Sequence, residues 1–340
     1  MIPRLRESYN QAFSEEKYER FLHELKSKHP GSIDFRVAET PVFVPDDFRD
    51  KMINACESIV DIITVDGFKK QSEKAIPPDD HVPGEERPCS FIAFDFGVCE
   101  DAAGGLEPQL IEMQGFPTLY AFQVYYPEIL QKHFPVPGNF SPYLSGYTRE
   151  SYLEALGKII LGNEKPEEVI LLELKPHEQK TRIDFYCTQD YFGIQPVCLT
   201  DLIPEGNQLY YIHEQSKKKV RIKRIYNRII FDDLRAQQER LGPHISLNQN
   251  WDVQWIPHPN WFYRISKHTL PFIRNPFVPK TYFLDEVKQI PDDLENYVLK
   301  PLFSFAGQGV IIDIKEEYIA SIRDPQNWIL QWKVNYAPVI

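Results

Sequence analysis

The first part of the chain places apolar residues at helical spacing. Phe21, Leu22 and Leu25 form an apolar stripe within a charged segment of about 30 residues, which predicts helix. A second helix is predicted for "MINACESIVDIITVDGFKK". The proline-rich acidic stretch that follows, "AIPPDDHVPGEERP", is predicted to be an exposed loop.

The pattern then changes to the two-residue alternation of β-strands. The segments "SFIAFDFGV" (Ser90–Val98) and "PQLIEMQG" (Pro108–Gly115) are joined by "CEDAAGGLE". A glycine-bearing connection of this kind predicts an antiparallel hairpin. Pro117 then begins the next predicted helix, "PTLYAFQVYYPEILQKHF".

Helical and strand-like segments alternate from Tyr147 onward. Helices are predicted for "TRESYLEALGKIILG" and for "EQKTRIDFYCTQDYFG", which ends at Gly193. Strands are predicted for "EEVILLEL", "IQPVCL", "QLYYIHE" and "KKVRIKRIYNRIIF". The alternation predicts a small parallel sheet of the doubly wound type.

The predicted fold class is α+β, and a length of 340 residues predicts about two to three domains. We divide the chain into residues 1–145 (helices and antiparallel strands), 146–245 (α/β) and 246–340. The last segment, "WILQWKVNYAPVI", is apolar and strand-like, which is unusual for a terminus. We therefore expect the natural chain to continue beyond it.

Composition argues against several classes of protein. The net charge of -11 argues against a nucleic-acid-binding protein. The chain has no apolar run near the roughly 20 residues that span a bilayer, and no signal-peptide pattern. Its five cysteines are odd in number and form no C-x-x-C pair, which argues against a disulfide framework or a zinc site. We expect a cytoplasmic protein without nucleic-acid or membrane partners.

The segment "YVLKPLFSFAGQGVIIDI" (Tyr297–Ile314) has the pattern strand, loop, strand. Because no helix follows Gly307 and Gly309, neither a P-loop nor a Rossmann motif is present. Glycines let backbone N–H groups approach an anion, and Lys300 adds a charge that can reach a phosphate. A plain hairpin turn with a solvated lysine explains the same residues.

The hairpin carries acids at regular spacing. Alternation places Leu110, Glu112 and Gln114 on one face of the second strand. If the two strands pair, Asp95 converges with Glu112 and Gln114. Two carboxylates and an amide carbonyl suit Mg²⁺ held together with phosphates. The alternative is a solvated strand face with ordinary acids.

Together these segments resemble the circularly permuted ATP-grasp ligases, with the nearest likeness to glutathionylspermidine synthetase and a more distant one to eukaryotic glutathione synthetase. The segments that carry the resemblance, in order, are "AFDF" (Ala93–Phe96), "IEMQGFPT" (Ile111–Thr118), "ISKHTLP" (Ile265–Pro271), "VLKPLFSFAGQGV" and "WILQWKV" (Trp328–Val334). They extend over residues 91 to 340. The resemblance implies an ATP-grasp-like fold in which the α/β region is the substrate-side domain.

The resemblance also implies roles for individual residues. Lys267 and Lys300 would bind the ATP phosphates and act in catalysis. Asp95, Glu112 and Gln114 would hold Mg²⁺, and Gln331 would line the adenine pocket. The loop that would close over ATP contains Ser304, Ala306, Gly307, Gln308 and Gly309. The family activates a carboxylate, such as that of a peptide or amino acid, as an acyl phosphate, which an amine then attacks.

Arg228, in "IKRIYNRIIFDDL", is the remaining candidate. The resemblance places a substrate-contacting arginine there, and a guanidinium group can grip a carboxylate with two hydrogen bonds. An ordinary surface arginine in a basic strand is the alternative.

The chain also departs from the family. Ala93 stands where the synthetases have an arginine, Gln114 replaces an asparagine, and Phe305 and Ala306 replace charged lid residues. Three functions therefore stay open. They are a ligase, a degenerate ATP-grasp protein that binds nucleotide as a sensor or scaffold, and a non-enzymatic α+β interaction module. The sequence does not indicate an oligomeric state.

Overall fold

The computed structural model describes residues 2–303 and 307–338. The helices are α1 (Pro3–Ala12), α2 (Glu15–Ser27), α3 (Asp46–Thr64), α4 (Phe68–Gln71), α5 (Phe122–His133), α6 (Arg149–Leu161), α7 (Arg182–Phe192), α8 (Phe231–Gln237), α9 (Trp261–Arg264) and α10 (Glu316–Ser321). The strands are β1 (Ala93–Glu100), β2 (Leu106–Gln114), β3 (Val169–Glu173), β4 (Gln195–Cys198), β5 (Ile203–Glu205), β6 (Gln208–Ile212), β7 (Lys219–Ile222), β8 (Arg224–Asn227), β9 (Gln254–Ile256), β10 (Thr281–Phe283), β11 (Tyr297–Pro301) and β12 (Trp328–Trp332). The predicted α+β class is confirmed.

The N-terminal helices form where the apolar stripe predicts them. The Ser14 hydroxyl caps α2 by accepting a hydrogen bond from the Lys17 N–H. Phe21 and Leu25 are fully buried, and they pack in one apolar cluster with α5. Burial of this stripe fixes α2 against the body of the protein.

Helix α5 begins at Phe122, five residues after the predicted start at Pro117. The physical reason lies outside the segment. The N–H groups of Ala121 and Phe122 both donate to Asp184 Oδ1, at 2.9 Å each. A carboxylate from α7 therefore satisfies the first free N–H groups and sets the start of the helix.

The predicted hairpin is present, with one irregularity. Strand β1 pairs with β2 in antiparallel register, with Asp95 opposite Glu112. Ile111 has no partner on β1 and forms a β-bulge, which reverses the alternation of side chains. Leu110 therefore lies in the apolar core with Met113, and the prediction that Leu110 shares a face with Glu112 and Gln114 is wrong.

A four-stranded parallel sheet with strand order β4-β3-β8-β9 forms the centre of the α/β region. Helices α6 and α7 contribute to the apolar cluster on one face. The cluster on the other face includes Phe231 of α8 and buried residues of the antiparallel sheet β5-β6-β7. Strand β9 lies beyond residue 245, where we placed a domain boundary, and the domain division itself stays a prediction.

The C-terminal region forms a three-stranded antiparallel sheet with order β10-β12-β11. The second strand predicted for the glycine-bearing segment is reduced to a single bridge between Leu299 and Ile311. Pairing stops there because Pro301 has no N–H group and Gly309 has a left-handed backbone with φ +72°. The segment is thus a loop closed at its base by one bridge.

The predicted exposed loop, "AIPPDDHVPGEERP", is instead attached to the protein. Arg264, only 1% exposed, donates from Nε and one terminal nitrogen to the Glu85 carboxylate at 2.9 and 3.0 Å. Asn260 exchanges two hydrogen bonds of 3.0 Å with the backbone of Val82. Distant polar partners therefore order a segment whose own composition is typical of loops. Within the described ranges, no helix is both long and apolar enough to cross a membrane.

Candidate active site

Lys300 connects the hairpin to the C-terminal sheet. The residue is 6% exposed, and its Nζ donates to Gln331 Oε1 at 2.6 Å and to the Ile111 carbonyl at 3.2 Å. Ile111 is the residue of β2 that forms the bulge. Desolvation lowers the pKa of Lys300 to about 8, with a further lowering by Lys267 and an opposing effect of Glu112. A buried ammonium group of this kind is ready to pair with an anion.

Lys267 reaches the hairpin from a short 3-10 helix, Lys267–Phe272. The preceding Ser266 caps this helix in a capping box with Thr269. Lys267 Nζ forms an ion pair of 2.9 Å with Glu112 Oε1, and its side chain is 4% exposed. Lys267 and Lys300 therefore approach the same strand from two different elements.

The three oxygen-bearing residues lie on one face of the hairpin. Asp95 is directly opposite Glu112, and Gln114 is opposite Ala93, two residues before Asp95. Desolvation raises the pKa of Asp95, Glu112 raises it further, and Lys267 lowers it. A carboxylate whose pKa is raised by burial and by a neighbouring carboxylate gains from a nearby cation.

The chemistry of this donor set fits Mg²⁺, since carboxylate and amide oxygens are the ligands that hard cations take. Among residues 2–303 and 307–338, no group of three or more His, Cys, Asp or Glu side chains is arranged to hold a metal. The predicted set has only two acidic side chains, Asp95 and Glu112, and the Gln114 amide would be its third donor. The metal role of these residues stays a prediction.

Gln331 is buried, and both ends of its amide form hydrogen bonds within the protein. It is 2% exposed, it accepts from Lys300, and its Nε2 donates to Thr281 Oγ1 at 3.3 Å. In this structure its side chain positions Lys300, and the contact of Gln331 with adenine stays a prediction. The chain of polar contacts from Thr281 through Gln331 to Lys300 was not recognised in the sequence.

The predicted lid is described in part. Gly307, Gln308 and Gly309 are exposed, and the Val310 N–H donates to the Gly307 carbonyl in a turn. The candidates Ser304 and Ala306, together with Phe305, lie outside the described residues. The bridge from Leu299 to Ile311 fixes the base of the loop beside Lys300.

Gly115 is a further residue that the site needs and that sequence reasoning did not identify. Its N–H donates to the Ile265 carbonyl at 2.7 Å. A Cβ atom at this position would lie 2.5 Å from the Trp261 carbonyl oxygen and 2.8 Å from the Ile265 side chain. Only glycine allows the end of β2 to approach the segment that delivers Lys267. The signal in the sequence is the glycine directly after Gln114.

Arg228 is buried, so its interpretation as an ordinary surface arginine is wrong. It is 7% exposed, and it donates from one terminal nitrogen to the Pro117 carbonyl. Its guanidinium group lies 5.3 Å from the ring centres of Phe116 and Phe185 and 3.9 Å from Asp184. Among the residues described, Arg228 Nε and Asp184 Oδ2 find no hydrogen-bond partner.

Arg228 follows β8 at the carboxyl edge of the parallel sheet. From β3 the chain adds β4 on one side and then β8 and β9 on the other, so the order of the parallel strands reverses between β3 and β8. Ligands of open α/β sheets bind at such a reversal. Glu173 ends β3 at the same edge, and desolvation raises its pKa to about 8.

No protein-family model matches this chain, and no curated protein matches it in sequence. Among solved structures, its fold is similar to that of a glutathione synthetase-like effector from Globodera pallida in its apo form. The two chains share 11% sequence identity with a TM-score of 0.59, and the match covers 96% of this chain and 84% of the other. The chain therefore has a glutathione synthetase-like fold.

Proposed function

We propose that this protein is an ATP- and Mg²⁺-dependent ligase that joins a carboxylate to an amine on a circularly permuted ATP-grasp-like fold. The observation that carries the proposal is the convergence of Lys267 and Lys300 on the strand that bears Glu112. The glutathione synthetase-like fold supports it. Charged groups with a perturbed pKa that meet at one place favour a functional site, and lysine is a phosphate-binding side chain.

In this proposal the lysines and the oxygen-bearing side chains have different roles, which follow from their charge. Lys267 and Lys300 would bind phosphate oxygens and stabilise charge on the transferred phosphoryl group. Asp95, Glu112 and Gln114 would hold Mg²⁺, which neutralises phosphate charge when it is bound. Lys267 would then exchange its ion pair with Glu112 for a phosphate, because the metal takes over the carboxylate.

The carboxylate substrate would lie toward the α/β region, where the order of the parallel strands reverses. Arg228 holds the Pro117 carbonyl in the loop that leaves β2, and so links this edge to the hairpin. Direct contact between Arg228 and a substrate carboxylate stays a prediction. Within this proposal, residues 146–245 form the substrate side and residues 246–340 form the lid side.

A second function, nucleotide binding without ligation, is favoured by one residue. Ala93, opposite Gln114, stands where the synthetases resembled by this chain carry an arginine. Loss of a group that stabilises the transferring phosphoryl group lowers a rate by about 100- to 1,000-fold. The chain could then retain ATP binding as a sensor or scaffold.

Release of ADP distinguishes the two functions. The whole chain is incubated with MgATP and with mixtures of amino acids, peptides and polyamines, and ADP is measured for the wild type and for Lys300→Met. A ligase releases ADP faster in at least one mixture, and the variant loses that stimulation. ATP binding without stimulated release in any mixture would contradict ligation and support the second function.

A further inference from the structure

A cleft is lined in part by the 3-10 helix that begins at Lys267. Its volume is about 830 Å³, within the usual range for small-molecule sites of roughly 300–1,000 Å³. Lys267 points to Glu112, whereas its neighbour His268 lines this cleft. Asp95, Glu112, Gln114, Lys267 and Lys300 do not line this cleft, so it shares none of these side chains with the candidate active site.

Three rings, tilted against one another, form the apolar part of its lining. The ring centres of His268, Phe272 and Phe283 lie 5.0 to 5.5 Å apart. Phe303 and Leu302 line the cleft beside them. This surface suits the aromatic or apolar part of a ligand, since aromatic pairs favour such spacing.

Charges of both signs border the rings. Lys70 and Lys74 come from the segment at α4, and Asp285 and Glu286 follow β10. Within the described ranges, none of these four side chains forms an ion pair with another residue of the protein. Two positive and two negative groups favour a ligand with both charges over a polyanion such as a nucleotide phosphate.

His268 supplies a neutral polar group to this lining. It is 6% exposed, and its Nδ1 has no hydrogen-bond partner among the described residues. Desolvation and the nearby Lys74 ammonium lower its pKa to about 4, so the ring is neutral at pH 7. A proton on the buried Nδ1 would be an unsatisfied donor, which favours the tautomer that carries it on Nε2.

We propose that this cleft binds a small zwitterion with an aromatic side chain, such as an aromatic amino acid. The carboxylate would pair with Lys70 and Lys74, the ammonium group with Asp285 or Glu286, and the side chain would pack on the rings of Phe272 and Phe283. His268 would donate a hydrogen bond to the carboxylate. This site is separate from the proposed ligase chemistry and does not depend on it.

Calorimetric titration of the whole chain without nucleotide tests the proposal. The probes are L-phenylalanine, 3-phenylpropionate, which lacks the ammonium group, and 2-phenylethylamine, which lacks the carboxylate. We expect L-phenylalanine to bind at least tenfold more tightly than either analogue. Failure of L-phenylalanine to bind, or equal affinity for all three probes, would overturn the proposal.

Variants locate the site. The pair Lys70→Met and Lys74→Met is expected to weaken L-phenylalanine binding about fivefold or more, since exposed ion pairs contribute modestly. Lys158→Met, at an exposed position on α6, is the matched control and leaves affinity unchanged. His268→Phe keeps a ring and removes the donor, so it also weakens binding. Thermal melts establish that each variant is folded, and unchanged affinity in folded cleft variants would place the ligand elsewhere.

Discussion

At the scale of the residue, the buried charged groups of this protein are held in place by specific partners. Lys300 is held by one side-chain oxygen and one backbone carbonyl, and Arg264 by several acceptors. Because an unpaired buried charge costs several kcal/mol, each of these groups has a partner that fixes its position. The roles of Lys300 and Glu112 followed from the resemblance, because the strand pattern alone left a solvated lysine and exposed acids as alternatives. The Ile111 carbonyl was not predictable, because a bulge depends on the partner strand.

Glu173 makes stability depend on pH. Its pKa is raised from 4.5 to about 8, with desolvation as the main cause, Leu174 N–H and Arg228 opposing it, and Asp233 adding to it. Between pH 4.5 and 8 the folded state keeps a proton that the unfolded state releases. The contribution of Glu173 to the free energy of unfolding therefore falls as the pH rises through this window.

The variant Glu173→Gln removes this dependence. We expect it to be close to wild-type stability near pH 4.5 and more stable by on the order of a few kcal/mol at pH 8.5. Urea unfolding at both values measures the difference, with the exposed Glu178→Gln as the matched control. A stability difference that is the same at both pH values would contradict the assignment.

At the scale of the element, partners distant in sequence set where helices begin and where loops lie. The start of α5 at Phe122 depends on Asp184 of α7, and the segment from Ala75 to Pro88 depends on Asn260 and Arg264. Local patterns predict that these elements exist but cannot predict such contacts. The hairpin β1-β2 was predictable because its alternation and its glycine-bearing turn agree.

Asp184 offers a direct test of this dependence. Its Oδ1 accepts both N–H groups at the start of α5, and its other oxygen lies 3.9 Å from Arg228. Removal of a buried, paired carboxylate costs about 3–5 kcal/mol. We expect Asp184→Ala to lower the free energy of unfolding by about 3 kcal/mol or more, measured by urea denaturation.

Asp184→Asn is the matched control. It keeps an oxygen for the two N–H groups and loses only the charge that faces Arg228, so we expect a smaller loss of stability than for alanine. A loss below about 0.5 kcal/mol for Asp184→Ala, in the range of ordinary surface substitutions, would contradict the role of Asp184 in starting α5.

At the scale of the whole molecule, the α+β class and the order of most elements were predictable from alternation of apolar and polar residues. The convergence of Lys267, Lys300 and Glu112 was implied by the resemblance, and the structure brings these three residues together. The prediction of a second strand in the glycine-bearing segment was wrong, because Pro301 and Gly309 end the pairing after the bridge between Leu299 and Ile311. Whether this segment forms a strand depends on the backbone groups that it meets in the fold, which the pattern along the chain does not give.

The proposed ligase requires that Lys300 and its neighbours bind the phosphates of ATP. Titration calorimetry of MgATP with the whole chain tests it most directly, with Lys300→Met as the variant and the exposed Lys158→Met as the matched control. We predict that the wild type and the control bind MgATP alike and that Lys300→Met binds at least tenfold more weakly, with melts to verify folding. Absence of binding by the wild type, or equal binding by a folded Lys300→Met, would contradict the proposed role of Lys300 in binding ATP.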